Sequence, residues 1–286
     1  MKIILSRKGF DSGYGKQPSP ILPDGTLLSL PIPLENDTKT MADLFFEGKT
    51  YYNIIKELKP TTPYLETQSC HLDPDIREQA FSKRTENWKP VFGQSDAAQT
   101  HLKNQGVTTG DIFLFFGLFR NVINNAGKLL WDTRSQPRHV MWGWLQIDEV
   151  LKVDSCNQTE YGWAKYHPHF HRNSDANNTL YVARSYLTLP GVAAESLAGA
   201  GVFLRISAQL ALTASTATKP SQWELPQWFY PCDNKHPLTY HSDMARWQRT
   251  ENGTKLNAVA RGQEFILDTI DFPEAIEWLK GLLEDT

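Results

Sequence analysis

The run DIFLFFGLFR at residues 111–120 decides the fold of this chain, together with HVMWGWLQIDEV at residues 139–150. Both runs are dense in aromatic and branched apolar residues, a composition that favours β-strands. Each run is interrupted by a glycine, Gly117 or Gly143, and a glycine inside a strand is typical of a bend or of close backbone approach. The two runs therefore predict long, strongly bent strands in the middle of the chain.

Shorter patterns extend this β-rich middle to about residues 110–213, with strand-like runs at 178–185, 202–206 and 210–213. Helical signals lie outside it. SDAAQTHLKNQG at 95–106 begins at a serine cap and ends at a glycine, and Pro273 opens a last helix. Strands and helices do not alternate along the chain, which disfavours a Rossmann fold. We predict an α+β fold, with a central antiparallel bent sheet or small barrel flanked by helices, and one domain over 1–286.

The composition of the 286 residues limits the function classes. Hydrophobic residues make up 40% and charged residues 21%, which suits a globular core. The net charge of −3 gives no general basic field, so binding of nucleic acid would need a local patch of positive charge.

Three widely spaced cysteines fit a reducing compartment. With no signal-peptide pattern and no long apolar run, we expect a cytoplasmic protein without a membrane span. The sequence sets no oligomeric state.

The segment HPHFH at residues 167–171 is the strongest candidate for a metal site. In an extended segment alternate residues point to one side, so His167, His169 and His171 would face together. Neutral imidazole binds iron, zinc, nickel and copper, and the triplet selects none of them. The alternative is a polar loop in which one histidine caps a neighbouring segment.

Carboxylates for such a site occur much earlier, in His71-Leu-Asp73-Pro-Asp75. One imidazole and two carboxylates in five residues can complete a site of the non-haem iron type. Asp-Pro-Asp is equally typical of a turn that starts a helix. His241 and Asp11, the latter in a glycine-rich N-terminal loop, are further candidates.

Substrate contacts have weaker signals. Nine Trp, ten Tyr and fourteen Phe predict a large aromatic core or, alternatively, a stacking pocket for a flat ligand such as a base. The stacking candidates are Trp142, Trp144 and Phe116. Arg7 and Lys8 can bind phosphate, or they can pair with acidic neighbours.

Other polar residues are candidates only if the fold gathers them. Arg120, Arg184 and Arg261 would add positive charge, and the pairs 177–178 and 263–264 could bind polar edges of a ligand or satisfy loop backbone. The GxSxG, HExxH, Walker A and GxGxxG motifs are absent, which disfavours the enzyme classes that depend on them.

A set of distinctive runs spans nearly the whole chain. They are SRKGFDS at 6–12, PSPILPDG at 18–25, LDPD at 72–75, GDIFLFFGLFR at 110–120, HVMWGWLQI at 139–147, HPH at 167–169, NTLYVA at 178–183, WELPQWF at 223–229 and RGQEF at 261–265. Together they resemble the family called nucleotide modification associated domain 3. The resemblance implies association with systems that make or handle modified bases in DNA, and a metal-dependent, iron-binding enzyme. His167, His169, Asp73, Asp75 and His241 match the polar positions of that family.

Two hypotheses follow from these observations. The first is a metal-dependent oxidase or hydroxylase of the non-haem type, which acts on a nucleotide or on a base in DNA. In that enzyme a divalent metal, with iron as a candidate, would be held by His167, His169, Asp73 and His241. Asp11 or His71 would assist catalysis, and Arg7 and Lys8 would contact phosphate.

The second hypothesis is a non-catalytic reader of modified bases. The β-rich middle is similar to the PUA and EVE barrels that cradle such bases. Trp142, Trp144 and Phe116 would then stack on the base, and no metal would be needed. Bound metal distinguishes the two hypotheses.

Overall fold

The two long aromatic runs form central strands of a nine-stranded mixed sheet in this computed structural model. The structure describes residues 1–35, 37–172, 175–193, 195–233, 235–260, 262 and 264–284. Arg261 and Gln263, two of the predicted ligand-binding residues, lie outside the described residues.

Short strands and a few helices make up the regular structure. The strands are β1 Lys2–Arg7, β2 Ser19–Ile21, β3 Lys39–Thr40, β4 Phe45–Phe46, β5 Lys49–Thr50, β6 Ser69–Cys70, β7 Val91–Gln94, β8 Ile112–Asn125, β9 Lys128–Trp131, β10 Arg138–Lys152, β11 Thr179–Ala183, β12 Ala200–Val202, β13 Gln222–Leu225, β14 Trp247–Arg249, β15 Thr254–Asn257 and β16 Glu264–Asp268. The α-helices are α1 Tyr51–Leu58, α2 Asp96–Asn104 and α3 Glu274–Leu283.

Strands β8 and β10 are the longest in the described chain, at 14 and 15 residues. They pair antiparallel, and their register shifts between Met141 and Gly143. A Cβ built on Gly143 would lie 2.8 Å from the carbonyl oxygen of Gly201, and one on Gly117 would lie 2.5 Å from that of Lys8. Of the two alternatives predicted for these glycines, a bend or close backbone approach, the close approach is therefore confirmed.

The predicted antiparallel sheet or small barrel, flanked by helices, is wrong. Strands β1 and β2 run parallel to β8, so the sheet is mixed. Its main path is the open order β16-β1-β8-β10-β11-β7, and the three described α-helices do not flank it in an α+β arrangement. Local patterns missed this because Ile3 pairs with both Ile112 and Leu267, partners too distant in sequence for periodicity to reveal.

The core is aromatic, as one of the two composition alternatives predicted. Phe92, Phe113, Phe115 and Tyr181 are fully or almost fully buried, and their ring centroids lie 4.8 to 6.0 Å apart. These rings belong to β7, β8 and β11 and hold the strands together by edge and stacked contacts. In the described part of the chain, no helix is long and apolar enough to cross a membrane.

Candidate metal centre

Three predicted residues converge beside strand β7. His71, Asp73 and His169 each offer one ligand atom, and these atoms all lie within 4.8 Å of one another. The Asp73 Oδ2 atom lies 3.8 Å from His71 Nε2 and 3.9 Å from His169 Nε2. Ligand atoms that share one ion at ~2.1 Å lie roughly 3.0–3.4 Å apart in octahedral or tetrahedral geometry. A closure of roughly 0.4 Å, and at most ~1.4 Å for the most distant pair of ligand atoms, would therefore bring the three groups to metal-binding distance.

Strand β7 sets the position of Asp73. The backbone of Asp75 exchanges two hydrogen bonds with Val91, of 2.9 and 3.0 Å. This pairing brings Asp73 to Gly93, whose backbone N–H donates to Asp73 Oδ1 at 2.7 Å. Position 93 has to lack a side chain, because a Cβ there would lie 2.2 Å from Cδ2 of His169.

The amide of Asn178 sets the orientation and the tautomer of His169. Its Nδ2 donates to the backbone carbonyl of His169 at 2.8 Å, which leaves Oδ1 to accept from His169 Nδ1 at 2.6 Å. An amide oxygen only accepts, so Nδ1 carries the ring proton. The lone pair of Nε2 then faces Asp73, which is the arrangement of a metal-binding histidine.

His71 is held in a similar way by a carboxylate. Its Nδ1 lies 2.7 Å from Asp37 Oδ2, and a carboxylate accepts the Nδ1 proton. His71 Nε2 is then available on the side of Asp73. A carboxylate behind an imidazole is a recurring support for a metal ligand, since it fixes the orientation of the ring.

His167 contacts the other oxygen of Asp73. Its Nε2 lies 3.3 Å from Asp73 Oδ1, and its Nδ1 accepts from the backbone N–H of His169. An Nδ1 that accepts leaves the ring proton on Nε2, which makes no hydrogen bond within the described residues. His167 is fully buried and lies outside the group of three ligand atoms. His167 therefore lies beside Asp73 without being one of the three ligand residues.

The protonation states at neutral pH suit a metal ion. Burial by itself raises the pKa of Asp73, but His167, His169 and His71 outweigh it and lower that pKa to about 2. Burial lowers the pKa of His169 to about 3, against the opposing effect of Asp73. The carboxylate is therefore charged and the His169 imidazole neutral, which are the forms that bind metals.

A buried polar network joins the two segments that carry these ligands. Arg84 makes two hydrogen bonds of 2.6 Å to the carboxylate of Asp75. The hydroxyl of Tyr166 donates to Asp75 and accepts from Trp88 Nε1 at 2.7 Å. Asp75 follows Asp73 by two residues and Tyr166 precedes His167, so this network fixes one ligand segment against the other.

A cleft of about 400 Å³ opens onto the group, and Arg7, Lys8 and Asp11 line it. Arg7 donates to the carbonyl oxygens of Val259 and Ala260. Lys8 Nζ lies 3.0 Å from Glu264 Oε1. The Asp11 carboxylate accepts from two backbone N–H groups of its own loop, both at 2.7 Å. All three are near the centre, but each already has partners that hold the cleft wall.

The structure does not bring His241 to this group. Its Nδ1 lies 2.9 Å from the carbonyl oxygen of Thr239, and its Nε2 accepts from the N–H of Val259 at 3.2 Å. Both ring nitrogens are therefore committed to backbone, and burial lowers the pKa of His241 to about 4. His171 is exposed, with its Nε2 2.7 Å from the carbonyl oxygen of Lys165.

The three predicted stacking residues lie in the core. Phe116 is fully buried and packs on Trp223, and Trp144 packs on Phe203. Trp142 is 4% exposed and lines a cavity of about 40 Å³, which is too small for a base. These aromatic residues are close together in the sequence because they pack between strands, so they are not available to stack on a base.

The mixed sheet and its histidine–carboxylate group define the chain as a β-rich protein with a candidate metal centre. The family model for nucleotide modification associated domain 3 matches residues 2–268. The chain belongs to this family, which confirms the resemblance seen in the sequence and links it to nucleotide modification. No curated protein and no solved structure matched the chain.

Proposed function

We propose that this protein is a metal-dependent enzyme that acts on a nucleotide, with a divalent metal ion bound by His71, Asp73 and His169. The observation that carries the proposal is the convergence of one carboxylate and two imidazoles on one point, within 4.8 Å. This ligand set replaces His167 and His241 of the predicted set by His71.

The donor chemistry fits a metal ion and favours iron. Two histidines and one carboxylate beside an open space are typical of non-haem Fe(II) oxygenases, and similar sets also bind zinc. When bound, iron would supply reaction with dioxygen, the oxidant of an oxidative modification. The protein's own part is to hold the two imidazoles in the correct tautomer through Asn178 and Asp37, and to present the metal to a cleft that admits substrate.

The non-catalytic reader has less support. Its barrel is replaced by an open mixed sheet, and its stacking residues Trp142, Trp144 and Phe116 are buried. Family membership fits either class of protein, so the metal remains the decisive observation.

The test is metal content, measured on chelator-treated protein reloaded anaerobically with Fe(II), Co(II) or Zn(II). We expect an equimolar metal in the natural chain and its loss in His169→Ala and in Asp73→Ala. His171→Ala is the matched control, because His171 lies two residues away, is exposed and contacts Lys165 rather than the group. If the folded natural chain takes up no equimolar metal, or if the three variants lose it equally, the proposal is wrong.

A further inference from the structure

The cleft continues beyond the metal centre to two exposed tyrosines. A second region of about 630 Å³ shares His71, Gln94 and Tyr14 with the first and extends to Tyr240. These tyrosines are 53% and 51% exposed. Exposed aromatic rings in a cleft that leads to a reactive centre offer the stacking surface that the buried tryptophans do not.

Tyr240 is held in place despite this exposure. Its φ of 66° lies in the left-handed region, which is strained for an aromatic residue and persists mainly at functional sites. Its ring lies 4.5 Å from that of His101, and Gly262 approaches it so closely that a Cβ there would lie 3.3 Å from Cδ2. The ring is thus pre-positioned, with one face supported by protein. Burial and Glu264 raise the pKa of Tyr240, which keeps the phenol neutral.

The charges of the cleft disfavour a polynucleotide. Among the described residues, each arginine or lysine that lines it is already paired: Arg7 with backbone carbonyls, Lys8 with Glu264, and Arg172 with Asp96 at 2.9 Å. Binding of DNA depends on many phosphate contacts from unpaired cations. A ligand with one phosphate needs far fewer of them.

The wall of the cleft carries a buried acceptor. Glu264 is 1% exposed and lines the second region. Its Oε1 accepts from Gln94 Nε2 at 2.6 Å and from Lys8 Nζ at 3.0 Å, whereas its Oε2 has no hydrogen-bond partner in the described part of the chain. A carboxylate oxygen accepts from the exocyclic amino group of cytosine and repels the carbonyl oxygen that uracil has at the same position.

We propose that the cleft binds a single nucleotide whose base carries an exocyclic amino group, with the base stacked on Tyr240 and the amino group directed to Glu264. This inference rests on the proposed function in taking the substrate to be a nucleotide. It adds which part of the cleft recognises the base, and that the substrate is a free nucleotide rather than a polymer.

Binding can be measured by calorimetry on chelator-treated protein, so that the result does not depend on the metal centre. The probes are cytidine monophosphate, uridine monophosphate and a short single-stranded oligocytidylate. We expect the cytidine nucleotide to bind more tightly than the uridine nucleotide and at least as tightly as the oligomer. Tyr240→Ala should weaken binding by about 5- to 150-fold, the range of one base–aromatic stack, whereas Tyr240→Phe should retain it.

Tyr186→Ala is the matched control, because Tyr186 is also exposed, at 49%, but does not line the cleft. Equal affinities for the two mononucleotides, tighter binding of the oligomer, or an unchanged affinity in Tyr240→Ala would each overturn the inference. Metal uptake is measured separately. If the protein binds an equimolar metal but fails the nucleotide-binding test, this inference is wrong and the metal proposal is unaffected.

Discussion

The imidazole of His169 lies directly over the backbone of Gly93, so closely that a Cβ on Gly93 would fall 2.2 Å from its Cδ2. Gly93 also donates its N–H to Asp73. One residue of β7 therefore positions two of the three candidate metal ligands, one through a hydrogen bond and the other through the space it leaves.

Gly93→Ala should abolish metal binding. The added methyl group has to displace the His169 ring or the strand, and overpacking of this kind costs typically ~1–3 kcal/mol of stability. Metal titration of the folded variant checks this. Gly162→Ala is the control, because a Cβ there meets nothing within 4 Å. Retained affinity in Gly93→Ala would mean that His169 is not a ligand.

Asn178→Ala should weaken metal binding by about 10- to 100-fold, the usual effect of removing a group that orients a metal-binding histidine. Without the amide, His169 Nδ1 loses its acceptor at 2.6 Å, and the ring can rotate or take the other tautomer. Competition with a chromogenic chelator measures the affinity. Asn177→Ala is the control, because its side chain bonds to Thr100. Equal effects of the two substitutions would contradict the assigned role.

Arg84→Met should lower the free energy of unfolding by roughly 3–5 kcal/mol, because it leaves the buried carboxylate of Asp75 without its charged partner. Asp75 is 1% exposed and Arg84 forms both charge-assisted hydrogen bonds to it. Urea unfolding of the metal-free protein measures this. Arg134→Met is the control, since the Arg134 side chain is 86% exposed beside Asp132 and its loss should leave the curve unchanged. A similar result for both variants would show that the network does not stabilise the fold.

Sequence patterns predicted the elements better than their arrangement. The aromatic runs became β8 and β10, and the helical pattern at 95–106 became α2, because a strand or a helix leaves its signal within a few residues. The predicted serine cap is wrong in one respect, since the Ser95 side chain makes no capping hydrogen bond. The mixed sheet was missed because the pairing of β1 with β8 and β16 joins distant segments. Helix and strand signals alone cannot tell parallel from antiparallel partners.

The sequence predicted the chemistry of the candidate metal centre better than it predicted which residues form it. Histidines and aspartates in short clusters at 71–75 and 167–171 pointed to a metal, and three of these residues do converge. His241 is not one of them, because both of its ring nitrogens form hydrogen bonds to backbone groups. Asp37 and Gly93 carry no chemical signal in the sequence, and Asn178 was predicted only to bind a ligand edge or to satisfy loop backbone. Their roles come from tertiary contacts alone.

Buried neutral histidines should make the fold sensitive to mild acid. His139 is 9% exposed, and its Nδ1 accepts from Trp223 Nε1 at 3.0 Å. Burial, with a smaller contribution from Arg7, lowers the pKa of His139 to about 3, whereas an unfolded chain has a histidine pKa of about 6.5. Between these values the unfolded state binds the proton more readily than the folded state. The stability associated with His139 is therefore complete above pH ~6.5 and decreases as the pH falls towards 3.

The expected slope is up to about 1.4 kcal/mol per pH unit for each such histidine. His169 and His241 have pKa values lowered by burial in the same direction, so the total slope should exceed that of one residue. Urea unfolding of the metal-free chain at pH 7.5, 6.0 and 5.0 measures it. His139→Gln, which keeps an acceptor for Trp223 but cannot titrate, should show a shallower decline below pH 6.5. A variant slope identical to that of the natural chain would mean that His139 is protonated in the folded state and that its burial is less complete than the structure shows.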